Sequence, residues 1–108
     1  MTGIANTPKP PYVAVIFTNV LNLDDTKGYA QTAEDMVALA AQQDGYLGIE
    51  SVRDEQGVGI TVSYWRDEKA VLAWKAVGAH QAAQKAGKNR WYKAYTTRVA
   101  TVTRDYSK

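Results

Sequence analysis

The hydrophobic pattern divides this chain into six segments. Tyr12 to Val20 (YVAVIFTNV) is β-branched and aromatic, with prolines before it and Asn22, Asp24 and Asp25 after it, which predicts a strand. It is apolar on both faces up to Phe17, as a central, doubly covered strand would be. From Lys27 to Gln43 the period changes. Tyr29, Ala33, Met36, Val37 and Ala40 fall on one helical stripe. Asp24, Asp25 or Thr26 could cap the start of this helix, and Asp44-Gly45 could end it. Tyr46 to Asp54 and Val58 to Arg66 read as two strands joined by a tight turn at Glu55-Gln56-Gly57. In the second of them Val58, Ile60, Val62 and Tyr64 make an apolar face. Gly59, Thr61 and Ser63 make a small, polar one, which ends in Trp65. A helix follows from Glu68, with Asp67 as its cap and Ala70, Val71 and Trp74 on its apolar edge. Gly78 interrupts it, and a second helical piece covers Ala79 to Ala86. Trp91 to Tyr106 reads as a long last strand.

The order is βαββαβ, the ferredoxin-like α+β plan, with an antiparallel sheet and both helices on one face. The other face needs a cover if the first strand is apolar on both sides. The simplest cover is a second copy of the chain, sheet against sheet, which makes a homodimer. Residues 1–11 hold all three prolines and read as an extended lead-in, and residues 12–108 form one domain.

Composition narrows the chemistry. There are 108 residues and no cysteine, so disulfides, thiolate zinc sites and cysteine nucleophiles are excluded. A reducing compartment is permitted, and we read the chain as cytoplasmic. The net charge is only +2 and the basic residues are scattered, which does not suit nucleic acid. No apolar run approaches the roughly 20 residues that span a membrane. No glycine-rich phosphate loop, Gly-x-Ser-x-Gly elbow or metal-ligand pattern occurs.

Taken in order, several pieces resemble the antibiotic biosynthesis monooxygenase (ABM) family. They are YVAVIF from Tyr12, QDGYLGIES from Gln43, SYW ending at Trp65, AW ending at Trp74, AH ending at His80, RWY ending at Tyr92, and a closing RV at Arg98. The resemblance covers roughly residues 12 to 106. It implies a dimeric α+β barrel with a pocket between sheet and helices in each subunit. Some relatives oxidise anthrones or quinols with molecular oxygen and neither metal nor flavin. Others bind and degrade haem, and many have no established activity.

These branches define three expectations. The first is a cofactor-independent monooxygenase acting on a flat aromatic substrate. The second is a haem-binding monooxygenase with His80 as iron ligand. The third is a dimer that binds a small molecule without catalysis. His80 is the only histidine and so the only side chain whose unperturbed pKa lies near neutrality. Asn19 shares a strand face with Phe17 by alternation and could hydrogen-bond a substrate oxygen; Asn22 competes with it. Trp74 completes the candidate catalytic set, although on an unbroken helix it lies about 120° from His80. Phe17, Tyr64, Trp65, Trp91 and Tyr95 are candidate aromatic walls for a flat ligand.

Overall fold

The computed structural model describes residues 3–85 and 88–108, with the backbone but not the side chains of residues 79–85, 88 and 89. The chain runs β1 (Tyr12–Leu21), α1 (Tyr29–Ala41), β2 (Tyr46–Arg53), β3 (Val58–Trp65), α2 (Glu68–Lys85), α3 (Lys88–Trp91) and β4 (Tyr92–Val102). The four strands form one antiparallel sheet in the order β2-β3-β1-β4. This is the ferredoxin-like α+β fold expected from the element order, and the doubly apolar β1 is an inner strand.

Local chemistry explains the boundaries. Asp67 caps α2, its Oδ1 accepting the Ala70 N–H at 2.9 Å. The β2–β3 turn closes because the Asp54 carboxylate accepts the N–H groups of Gln56 and Val58, both at 2.9 Å, while Gly57 takes a left-handed φ of 92°. Asn22 is used in the same way: its Oδ1 accepts the Asp24 N–H at 3.1 Å, so it shapes a turn.

Three expectations need correction. No side chain caps α1; Gly28 precedes it at φ 82°, and Asp24, Asp25 and Thr26 lie in the lead-in. Gly78 does not break the second helix, which runs unbroken from Glu68 to Lys85. A glycine inside a helix costs about 1 kcal/mol, and the Met36 Cε of α1 lies 3.8 Å from where a Cβ would stand. A Cβ there would make only an ordinary van der Waals contact, so the packing of α1 does not require the glycine. Trp91 is not in a strand: it ends α3, and β4 begins at Tyr92 and stops at Val102.

Strand pairing sorts the sheet into two faces. Val13 pairs with Trp65 and Thr101, Val15 with Ser63 and Val99, Phe17 with Thr61 and Thr97, and Asn19 with Gly59 and Tyr95. This set faces the helices, because Val13 and Trp65 form the core with Ala40 of α1 and with Ala70 and Val71 of α2. Trp65 is fully enclosed (0 % exposed). It stacks on Trp74 with ring centroids 5.6 Å apart and meets Tyr46 edge-on at 5.7 Å. Burying an indole of this size is worth roughly 4–6 kcal/mol before entropy is charged against it. The plainly apolar face of β3 is therefore the one without helices. Val52, Val58 and Ile60 lie exposed on it, Val52 at 71 %.

The N-terminal segment crosses one end of that open face. The Ala5 N–H donates to Glu50 Oε2 at 3.0 Å, and Tyr64 donates to Glu50 Oε1 at 2.6 Å. Thr7 donates to the Tyr12 hydroxyl, which donates to Asp105 Oδ2 at 2.6 Å, so the leading and trailing segments meet over Tyr12. No helix among the described residues is long and apolar enough to cross a membrane.

Candidate functional site

The helix-facing side of the sheet changes character from the Val13 end to the Asn19 end. Its last row reads Arg53, Gly59, Asn19 and Tyr95 across β2, β3, β1 and β4. Ser51, Thr61, Phe17 and Thr97 form the row before it, where the Ser51 and Thr61 hydroxyls share a 2.7 Å hydrogen bond. This end is polar at the sheet and aromatic around it.

Asn19 is 2 % exposed. Its Nδ2 reaches the Phe17 carbonyl at 3.4 Å, and its Oδ1 is buried with no hydrogen-bond partner among the described residues. A buried acceptor without a donor costs about 1–3 kcal/mol, so the position is retained at the expense of stability.

Aromatic rings cluster at the same end of the sheet. Phe17 meets Tyr92 edge-on at 5.4 Å and Tyr95 at 5.6 Å. Tyr29, from the first turn of α1, packs edge-on against both Trp91 and Tyr92. Trp91 is buried and fixed by a 2.9 Å bond from its indole N–H to the Lys27 carbonyl, so it backs the cluster and holds the start of α1.

Arg53 completes the arrangement. Its guanidinium lies over Gly59, where a Cβ would stand 2.6 to 2.8 Å from it. One Nη donates to the Gly57 carbonyl at 2.6 Å and the other to the Tyr29 hydroxyl at 2.9 Å. Tyr92 also donates to the Tyr29 hydroxyl, at 3.5 Å. Burial, and then the bond to Tyr29, push the Tyr92 phenol well above its ordinary pKa, while the Arg53 charge pulls it back only in part. Tyr92 is therefore a proton-bearing donor at neutral pH and not a resting base.

The expected site residues separate. Asn19, Phe17, Tyr95 and Trp91 come together at the polar end. Trp65 and Trp74 lie stacked at the packed end, where Trp65 belongs to the core and Trp74 packs against it. Tyr64 is on the opposite sheet face, bonded to Glu50, and cannot share a wall with Phe17. The side chain of His80 lies outside the described residues. Tyr29, Arg53 and Tyr92 complete the cluster. In the sequence Tyr29 is part of a helical stripe, and Tyr92 stands beside the candidate walls Trp91 and Tyr95. For Arg53 the available signal was Gly59: a glycine inside a strand marks a close approach. No group of three or more His, Asp or Glu side chains that could hold a metal occurs among the described residues.

The fold is shared widely. Protein SO0527 from Shewanella oneidensis superposes with a TM-score of 0.72 at 10 % identity, over 85 % of this chain and 91 % of that one. PA3566 from Pseudomonas aeruginosa gives 0.69 at 14 % identity, over 92 % and 99 %. Such likeness defines the fold class: a ferredoxin-like α+β domain. Residues 12–86 match the antibiotic biosynthesis monooxygenase family, and the chain belongs to it. An uncharacterised protein, YqjZ of Bacillus subtilis, is 52 % identical over 104 residues, 96 % of this chain and 90 % of its own length. The jasmonate monooxygenase ABM of Pyricularia oryzae is 31 % identical over 94 residues; the match takes in 83 % of this chain but only 43 % of that protein.

Proposed function

We propose that the protein is a cofactor-independent monooxygenase that oxidises a flat, hydroxylated aromatic compound of the anthrone or quinol type with O2. We place its ligand between the polar end of the sheet and the helices. The observation that carries this reading is the buried, unpartnered Asn19 Oδ1 amid Phe17, Tyr92 and Tyr95. Apolar walls with one unanswered acceptor suit a planar ligand with a hydroxyl at its edge. Family membership and the named monooxygenase relative agree with oxygen chemistry.

The reaction balances without a cofactor. Loss of a proton from the activated C–H of the substrate leaves an electron-rich carbanion delocalised onto its oxygen. The carbanion gives one electron to O2, the two radicals join to form a C–O bond, and the resulting hydroperoxide loses water to leave C=O. One oxygen atom enters the product and the other leaves as water, reduced by electrons from the substrate itself. Asn19 Oδ1 accepts the ligand hydroxyl and fixes the ring. Tyr92, held protonated, and the nearby Arg53 charge favour negative charge on the substrate oxygen. His80, the only imidazole, has the unperturbed pKa for accepting the proton. A second copy of the chain covers the open sheet face, burying Val52, Val58 and Ile60.

The test is turnover of an anthrone by metal-stripped protein with and without oxygen. Product should require oxygen and fall about 100-fold in Asn19→Leu. Equal product without oxygen overturns the reading. Haemin binding abolished by His80→Ala would replace it with the haem-dependent one. A monomer at micromolar concentration in sedimentation would remove the dimer.

A further inference from the structure

Arg53 is half-buried on the helix-facing side, yet no carboxylate pairs with it among the described residues. Its two hydrogen bonds go to neutral oxygens, the Gly57 carbonyl and the Tyr29 hydroxyl. A guanidinium carries five N–H donors, so three remain without a partner among the described residues. The Tyr29 hydroxyl accepts from both Arg53 and Tyr92. Its own proton has no acceptor among the described residues, and the adjoining cation makes that proton a stronger donor. Gly59 supplies the space in which the guanidinium lies. One strand further in, the Asn19 Oδ1 is buried and unpartnered. The row thus offers donors with positive charge at its accessible end and a lone neutral acceptor at its enclosed end.

We infer that Arg53 and Tyr29 form a carboxylate subsite, and that the ligand of this site is an aromatic acid bearing a hydroxyl group. The carboxylate lies against the Arg53 fork and the Tyr29 O–H, and the hydroxyl donates to Asn19 Oδ1. The two groups stand roughly 5 Å apart, one strand spacing. The assignment of charge follows from burial. A carboxylate is costly to dehydrate fully, and half-exposed Arg53 lets it stay partly hydrated. The enclosed Asn19 suits a neutral hydroxyl. The inference rests on reading this end of the sheet as a ligand site and names the class of compound it takes.

The test uses binding rather than turnover. The probes are an anthraquinone-2-carboxylate bearing a hydroxyl meta to the carboxylate, already at the quinone level, and its methyl ester, followed by quenching of tryptophan and tyrosine fluorescence. The wild type should bind the acid at least about tenfold more tightly than the ester. Arg53→Gln should abolish that preference by weakening the acid and leave the ester within about twofold. Gly59→Ala, which keeps the cation but puts a methyl group where it lies, should reduce the preference too, and serves if Arg53→Gln does not fold. Equal binding of acid and ester by the wild type, no binding of either, or a preference that survives both substitutions overturns the subsite. Anthrone turnover is measured separately. Acid preference without oxygen-dependent turnover keeps the subsite and removes the monooxygenase reading; the converse removes only the subsite.

Discussion

At the Val13 end of the helix-facing side, Trp65 is wholly enclosed by Trp74, Tyr46, Ala40, Ala70 and Val71, and its indole N–H is satisfied by Ser63 Oγ at 2.9 Å. Three rows away, Asn19 is as deeply enclosed, yet its acceptor has nothing to accept from among the described residues. Both are fully buried side chains on the same face of the same antiparallel sheet. The first has every polar atom answered and every surface filled. The second keeps an unpartnered polar atom in the same strand row as Arg53, whose hydrogen bonds go to neutral oxygens. Burial alone therefore does not mark a core position. Whether the buried polar atoms are satisfied separates the part of the face that holds the fold from the part proposed to hold a ligand.

The largest way to break this comparison is at the packed end. Trp65→Ala should destabilise the protein by about 3–5 kcal/mol, read as a fall in the denaturant midpoint. A cost below about 1 kcal/mol would mean the stack is not core. Asn19→Leu should do the reverse. It deletes an unsatisfied acceptor while keeping volume, so stability should stay within about 1 kcal/mol of wild type while anthrone turnover drops about 100-fold. A large loss of stability with normal turnover would make Asn19 structural.

The third prediction concerns pH. Folding raises the Tyr92 pKa, so the folded state holds that proton more tightly than the unfolded chain does. The associated stability is present in full below the ordinary phenol value of about 10 and is lost as pH rises through the folded value. Melting temperatures across pH 8 to 11 should fall less steeply in Tyr92→Phe than in wild type; parallel curves would contradict the burial of that phenol. The smallest effect belongs to Arg66→Ala. Arg66 pairs with Asp44 at 3.0 Å and holds that carboxyl below its usual range, but both groups are exposed. The denaturant midpoint should stay at the wild-type value in the same assay; a clear fall would make the pair structural.

Element order was legible in the sequence because period-2 and period-3.6 patterns are local properties. The caps at Asp67 and the turn at Gly57 were legible for the same reason. What failed depended on contacts between distant segments. Gly78 reads as a break, but the helix continues through it to Lys85 with Met36 of another helix in ordinary contact range. The polar-looking face of β3 is the buried one, because a single Trp65 meets the helices while Val58 and Ile60 point away from them. For the site, Asn19 and its face could be read from alternation. Tyr29 and Arg53 could not, because a hydroxyl in α1 and a guanidinium in β2 become neighbours only through tertiary packing. The aromatic residues were over-read: six rings in strands and helices look alike until the pairing assigns them to two ends and two faces.

The strand order also bears on how the chain comes to be folded. β1 is the first strand made, yet its pairing with β4 joins Tyr12 to Val102. During vectorial synthesis β1 can pair with β3 on one edge as soon as the hairpin emerges, but its other edge stays open until the last strand is released. Contacts between such distant segments close slowly, and an unpaired apolar edge is where partly folded chains recruit one another. Val13, Val15 and Ile16 sit on that edge. The yield of native protein should therefore be limited by the arrival of the C-terminal strand, and chains ending before Tyr92 should accumulate as aggregates although they retain both long helices.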